Sequence, residues 1–226
     1  MAGRVVRVFD LAQPLYDGAP VWPGDPRVRL RELRSIDADG VRLESLHLGT
    51  HSGTHVDAPR HMLHVERGAI TDYRPDHFVG PCVVADLTAK QDDDEICPDD
   101  LEPYRDLLEP GDIVLLATGW SRFRGEDERR WLHHSPYLSA AGAEWLCARG
   151  AKGVGIDHPS IGTTVEQFDR PPHEILLRRR IWIAEDLAVP PELLAERRKW
   201  LYIGVPLKLE GAGGAPVRPV VLDIEP

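Results

Sequence analysis

Apolar and polar residues alternate with period two over Arg4–Leu11, Arg27–Leu33 and Val41–Leu48, a spacing that predicts antiparallel strands with one face in water. Gly80–Leu87 and Asp112–Thr118 are short, continuous apolar runs of the kind that fill the middle of a sheet. Ser139–Arg149 reads as a helix, with Ser139 as N-cap, Glu144 on its first turns and Gly150 as the stop. Ala151–Ile156 follows as another buried strand, and the strand–helix–strand order with Asp112–Thr118 predicts that part of the sheet is parallel. Pro171 and Pro172 suit the first turn of a helix running on through His173–Arg180. Ile181–Leu187 alternates again, and Trp200–Leu209 and Val217–Ile224 are predicted as the last strands. Gln13–Pro26, punctuated by Pro and Gly, is an ordered loop, and Lys90–Asp100 is a solvated surface loop. The sum is a mixed α/β fold in a single domain over residues 1–226, without repeats or an internal linker.

Composition narrows the function classes. The 226-residue chain carries 27 Lys+Arg against 37 Asp+Glu, a net charge of −10, and its Arg clusters are too small for the basic face that nucleic acid demands. No apolar run approaches the roughly 20 residues of a membrane span, and the N-terminus lacks the continuous apolar stretch of a signal peptide. The expected partner is a small molecule, with no nucleic acid and no membrane, and the expected location is cytoplasmic. Cys82, Cys97 and Cys147 are odd in number and widely spaced, which indicates neither a disulfide framework nor a cysteine metal site.

Histidine is the unusual component. Of ten in the chain, His47, His51, His55, His61 and His64 crowd into one short segment. His51, His55, Asp57 and His61 are all odd-numbered, so on an extended chain they share a face. Gly53, Thr54, Val56 and Pro59 argue against a helix there. A straight strand would hold His51 and His55 about 13 Å apart, so the backbone must curl at Gly53 for both to reach one ion. Pro59 ends the ladder, which brings His61 in from a turn. Imidazole and carboxylate together suit a divalent ion such as zinc or manganese; His47 and His64 are read as structural. Glu185 is in phase with Ile181 and Ile183, so alternation turns a carboxylate toward the core, where either a metal or one of Arg178–Arg180 must meet it.

The segment His51–His61 carries the pattern H-x-G-T-H-x-D-x-P-x-H, and with it the chain resembles the cyclase family of metal-dependent hydrolases, which includes bacterial kynurenine formamidases (arylformamidases) and isatin hydrolases. The likeness extends to Trp22–Pro26 (WPGDP), Gly155–Ser160 (GIDHPS), the His173 and Glu185 pair, and the late VPLKLEGAGGAPVRPVVL. It implies a mixed sheet of swivelling β/β/α type, usually assembled as a homodimer or homotetramer. By position, it implies that His51, His55 and Asp57 hold one ion, that Asp57 bridges to a second, and that His173 and Glu185 complete the second site. Two Zn2+ ions per subunit are expected, with Mn2+ as the alternative. His61 corresponds to the family's proton donor and acceptor, and Trp22 to an aromatic residue lining the pocket for a small aromatic substrate. The activity implied is hydrolysis of an N-formyl arylamine such as N-formylkynurenine by metal-activated water. The alternatives are hydrolysis of a cyclic amide or lactone, a ring-closing step, or a metal-binding module without catalysis. Three features depart from the family pattern or lean toward members of unestablished substrate: His158 stands where Thr or Val is usual, Asp186 where Asn or Gly is usual, and Thr118–Phe123 reads TGWSRF.

Overall fold

A computed structural model describes residues 4–225. Its strands are β1 (Arg4–Asp10), β2 (Arg29–Arg34), β3 (Leu43–His47), β4 (His55–Asp57), β5 (Val79–Asp86), β6 (Glu95–Ile96), β7 (Ile113–Ala117), β8 (Tyr137–Leu138), β9 (Gly153–Ile156), β10 (Trp182–Glu185), β11 (Lys199–Ile203), β12 (Gly214–Pro216) and β13 (Val220–Glu225). Nine of them form one sheet in the order β1-β13-β11-β5-β7-β9-β10-β4-β12. The centre, β5-β7-β9-β10, is parallel, and antiparallel strands flank it on both sides.

Two apolar layers sit on the two faces of this sheet, which is why its central strands are apolar throughout. Along β7, Ile113 and Leu115 enter one layer with Trp182, Trp200 and Tyr202, while Val114 and Leu116 enter the other. The second layer is covered by the helices Ala140–Ala148 and Glu166–Arg178, through Leu146, Leu176 and Leu177. Ser139 caps the first helix by accepting from Gly142 N–H. Gly150, at φ +74°, follows its end, the left-handed geometry that favours glycine there. Among the described residues no helix is long and apolar enough to cross a membrane, and the three cysteines are unpaired.

Several predicted boundaries move. The helix containing His173 begins at Glu166, ahead of Pro171 and Pro172, so both prolines lie inside it. Within that helix the Asp169 carbonyl accepts from His173 Nδ1 at 2.8 Å. Strand β11 stops at Ile203, and β13 begins only after Pro219, which has no N–H to give a ladder. Strand β12 occupies Gly214–Pro216, where Gly and Pro suppressed any strand signal; as an edge strand it tolerates the proline. The hairpin β2–β3 was expected to have one wet face, yet both faces are exposed because it pairs only with itself. Leu33 and Ile36 are 61% and 67% exposed at its tip.

Candidate metal centre

The predicted ligands converge at the β4–β10 junction, on the face covered by the helix Glu166–Arg178. Strand register places His55 directly beside Glu185 and Asp57 beside Ile183. Val56 packs into the opposite layer, so alternation sends His55 and Asp57 to the helix side, where His173 descends from its helix. The chain curls as anticipated at Gly53, whose φ is +64°. A Cβ there would stand 2.6 Å from the Leu15 side chain, so the position needs glycine for space as well as for geometry. Pro59–His61 forms a single 3-10 turn that returns His61 to the cluster, its ring centroid 3.9 Å from that of His51 and tilted by 31°. Across the site, Gly214 of β12 passes so close that a Cβ would enter the His51 ring.

Asp57 lies at the centre, wholly buried. His51 Nδ1 stands 2.6 Å from its Oδ1, His55 Nε2 3.3 Å from the same oxygen, and Oδ2 has no hydrogen-bond partner. His55 Nε2 is also 3.3 Å from Glu185 Oε2, and His173 Nε2 is 3.1 Å from Glu185 Oε1, which accepts from Ile161 N–H as well (2.6 Å). Two groups of ligand atoms lie mutually within 4.8 Å: His51, Asp57 and His61, and His55, Asp57 and Glu185. Asp57 belongs to both. His61 therefore joins the first group, and His55 sits with Glu185 rather than with His51.

Hydrogen-bond bookkeeping shows that this set fits a cation. The Nδ1 of His55 donates to the Gly53 carbonyl (2.8 Å) and that of His173 to the Asp169 carbonyl (2.8 Å), so each neutral ring would turn the Nε2 lone pair onto carboxylate oxygens. Two acceptors cannot face each other at hydrogen-bond distance without positive charge between them. A proton is one remedy: burial pulls the His173 ring down, but Glu185, Asp169 and Asp57 outweigh it and hold the ring up at about 10. His55 is raised in the same way by Asp57 and Glu185 against its burial. A divalent ion is the other remedy, and it would also satisfy the orphaned Asp57 oxygen. His61 behaves oppositely, since burial, aided by the neighbouring His51 and His173, brings it down to about 4.

The "Putative cyclase" family model matches residues 9–163. The chain belongs to the cyclase family. Among relatives of this cyclase, the kynurenine formamidase of Salinibacter ruber is 34% identical over 223 residues, covering 96% of this chain and 97% of the relative. That of Maricaulis maris is 31% identical over 226 residues, covering 97% and 100%. Isatin hydrolase A from Labrenzia aggregata superposes with a TM-score of 0.87 at 25% identity, covering 97% of this chain and 94% of that one.

A small cavity of about 160 Å3 opens onto the cyclase's histidine cluster, and Trp22 lines it together with His51, His55, His61, His173 and Glu185. It also admits Asp25 and Ser160, which fall inside the WPGDP and GIDHPS segments, and Met62 and Asp169, which the sequence pattern did not single out. A signal existed for Asp169, four residues before His173 and so on the same helix face; Ser160 Oγ donates to its Oδ1 at 2.6 Å. His47 and His64 are exposed and outside the cavity.

His158 and Asp186 do not line the cavity but lie buried behind Glu185, joined by a 2.8 Å bond from Asp186 N–H to the His158 carbonyl. Asp186 has φ +53°, a left-handed conformation that Asn, Asp and Gly accept most readily. Its Oδ2 accepts from Arg124 Nε at 3.0 Å, both side chains being 4% exposed. Burial pushes the Asp186 carboxyl up to about 7 despite that guanidinium.

Proposed function

We propose that this cyclase is a metal-dependent amidohydrolase that cleaves an N-formyl arylamine, in the manner named for its kynurenine formamidase relatives. The observation that carries the reading is the pairing of His55 and His173 lone pairs with buried carboxylates at the floor of a cavity whose walls are a neutral His61 and the indole of Trp22. His51, His55, Asp57, His173 and Glu185 would hold the metal, two zinc ions on the chemistry of the ligands, with manganese as the alternative. A bound divalent ion would supply a Lewis acid that brings the acidity of water toward neutrality and polarises a carbonyl.

The chain's own residues account for the rest. His61 is neutral at pH 7, so a ring nitrogen is free to take a proton from the attacking water; the resulting imidazolium, destabilised by burial, readily passes it to the leaving aryl nitrogen. The Trp22 face would stack on the aryl ring, and the narrow cavity would exclude bulk water from the scissile bond. A homodimer or homotetramer is supported by the exposed leucines at positions 30, 33, 43 and 46 on the β2–β3 hairpin, which a second copy would cover.

The test is hydrolysis of N-formyl-L-kynurenine by protein of measured metal content, beside His61→Ala, which should lose about 10²–10⁴-fold in kcat. Retention of activity within a few-fold would remove His61 from the mechanism. A cyclic-amide substrate is the second reading, favoured by the superposition on isatin hydrolase A, and isatin belongs in the same assay.

A further inference from the structure

Asp186 follows Glu185 at the end of β10. In the β4–β10 register Glu185 faces His55, so the next position along the two chains brings Asp186 beside Thr54. A side chain joins them: Thr54 Oγ1 donates to the Asp186 carbonyl at 2.6 Å and accepts from Gln13 N–H at 2.8 Å. On its other side Asp186 N–H donates to the His158 carbonyl, and the same loop presents Ile161 N–H to Glu185 Oε1. The backbone of Asp186 thus ties together the segments that hold the ligands His55 and Glu185.

None of these backbone bonds calls for a charge, and the left-handed φ of +53° is open to Asn or Gly as well. The carboxylate answers a different demand. Arg124, on the loop after β7, reaches Asp186 Oδ2 through Nε at 3.0 Å, with both side chains 4% exposed. Among the described residues it has no other ion-pair partner, and the buried Trp131 ring lies 5.7 Å from its guanidinium carbon. Its positive charge is permanent, shut away from solvent screening, and placed behind a cluster whose chemistry fits cations.

We infer that Asp186 is a charge-balancing residue for the metal centre: its carboxylate cancels the buried Arg124 guanidinium, which would otherwise repel a divalent cation at Glu185. This rests on the metal-binding reading above and extends it to a residue that belongs neither to the cavity lining nor to the clustered ligand atoms. Coulomb repulsion reaches further in a water-free interior than at a surface, so contact with the ion is not needed. The two charges act as a unit: glycine at position 186 suits the backbone, yet is harmful while Arg124 remains and tolerable once it is gone.

The experiment measures Zn2+ affinity by competition with a chromogenic chelator and the visible spectrum of the Co2+-loaded protein. Both are taken at about pH 8, above the value of about 7 to which burial raises the Asp186 carboxyl. Wild type, Asp186→Asn, Asp186→Gly and Arg124→Met/Asp186→Gly are compared, each shown to be folded by circular dichroism. Asn accepts the same backbone conformation and can still hydrogen-bond to Arg124, so Asp186→Asn removes the charge alone. Both single variants should bind Zn2+ about 10–100-fold more weakly, the size of effects from groups just outside a metal's ligands. The Co2+ spectrum of Asp186→Asn should match wild type, because the ligand geometry is intact. The double variant should recover to within about threefold of wild type, since no charge is left to balance. Wild-type affinity in Asp186→Asn, a loss that persists in the double variant, or a changed Co2+ spectrum in Asp186→Asn overturns the charge-balancing role and leaves the metal centre standing. Wild type that takes up neither Zn2+ nor Co2+ overturns the metal reading and this inference with it.

Discussion

Arg124 and Asp186 form an ion pair whose energetics can be worked from their surroundings. Both side chains are 4% exposed, yet only one N–H···O contact joins them, and Arg124 Nη2 and Asp186 Oδ1 have no partner. Removing one member of a buried pair leaves the other's charge uncompensated and costs about 3–5 kcal/mol. The incomplete hydrogen bonding, and a carboxyl held at about 7 that takes up a proton once the guanidinium is gone, place Arg124→Met at the low end, about 3 kcal/mol. Asp186→Gly should cost less, because glycine accepts the left-handed backbone without strain and the guanidinium keeps its place 5.7 Å from the Trp131 ring, a contact worth about 0.5–1 kcal/mol. The double variant leaves neither charge buried alone and should be more stable than Arg124→Met by about 2 kcal/mol or more, since an imperfect buried pair contributes little net stability. Urea unfolding at pH 7 with unchanged m-values reads these differences. Costs that simply add in the double variant would refute the reasoning, because additivity means that the two charges do not compensate each other.

Gly214→Ala tests the close approach of β12 to the histidine cluster: a Cβ there meets the His51 ring and stands 2.8 Å from the Val56 carbonyl. Overpacking should cost about 1–3 kcal/mol and weaken metal affinity through His51; an alanine variant with wild-type zinc affinity by competition with a chromogenic chelator would show that β12 yields instead. Stripping the metal with a chelator should lower Tm, since a ligand at a thousand times its Kd stabilises by about 4.1 kcal/mol, or roughly 8–16 °C for a chain of this size. Identical melting of treated and untreated protein of confirmed metal content would mean that the buried carboxylates do not need the ion.

The ligand segment was legible because its constraints are local. Period-two spacing, a glycine at the only place the chain can curl and a proline at the end of the ladder leave His51, His55, Asp57 and His61 little choice of arrangement. Central strands were equally plain, since β7 is apolar on both faces for the reason that both are covered. What sequence spacing could not show is which histidine pairs with which carboxylate. That is set by the register of β4 against β10, a contact between residues far apart in the chain. The same limit hid β12, whose glycines look like loop residues until the His51 ring is seen against them.

Long-range packing also explains why the departures from the family pattern looked unrelated. Arg124 follows β7, His158 follows β9 and Asp186 follows β10, and these are adjacent parallel strands. At their carboxyl ends, where open α/β sheets place their ligands, Asp157 accepts from Thr118 N–H and Gly119 N–H (2.9 and 2.6 Å), and Asp186 N–H reaches the His158 carbonyl. Asp186 keeps the left-handed conformation that Asn or Gly would adopt but adds a charge, and Arg124 answers that charge from the neighbouring loop. Arg124 and Asp186 are therefore paired through their side chains, whereas His158 takes part only through its backbone carbonyl. Because they sit behind Glu185 and outside the reaction cavity, they bear on how the β10 carboxylate is held, whereas Trp22 and Met62 line the cavity itself.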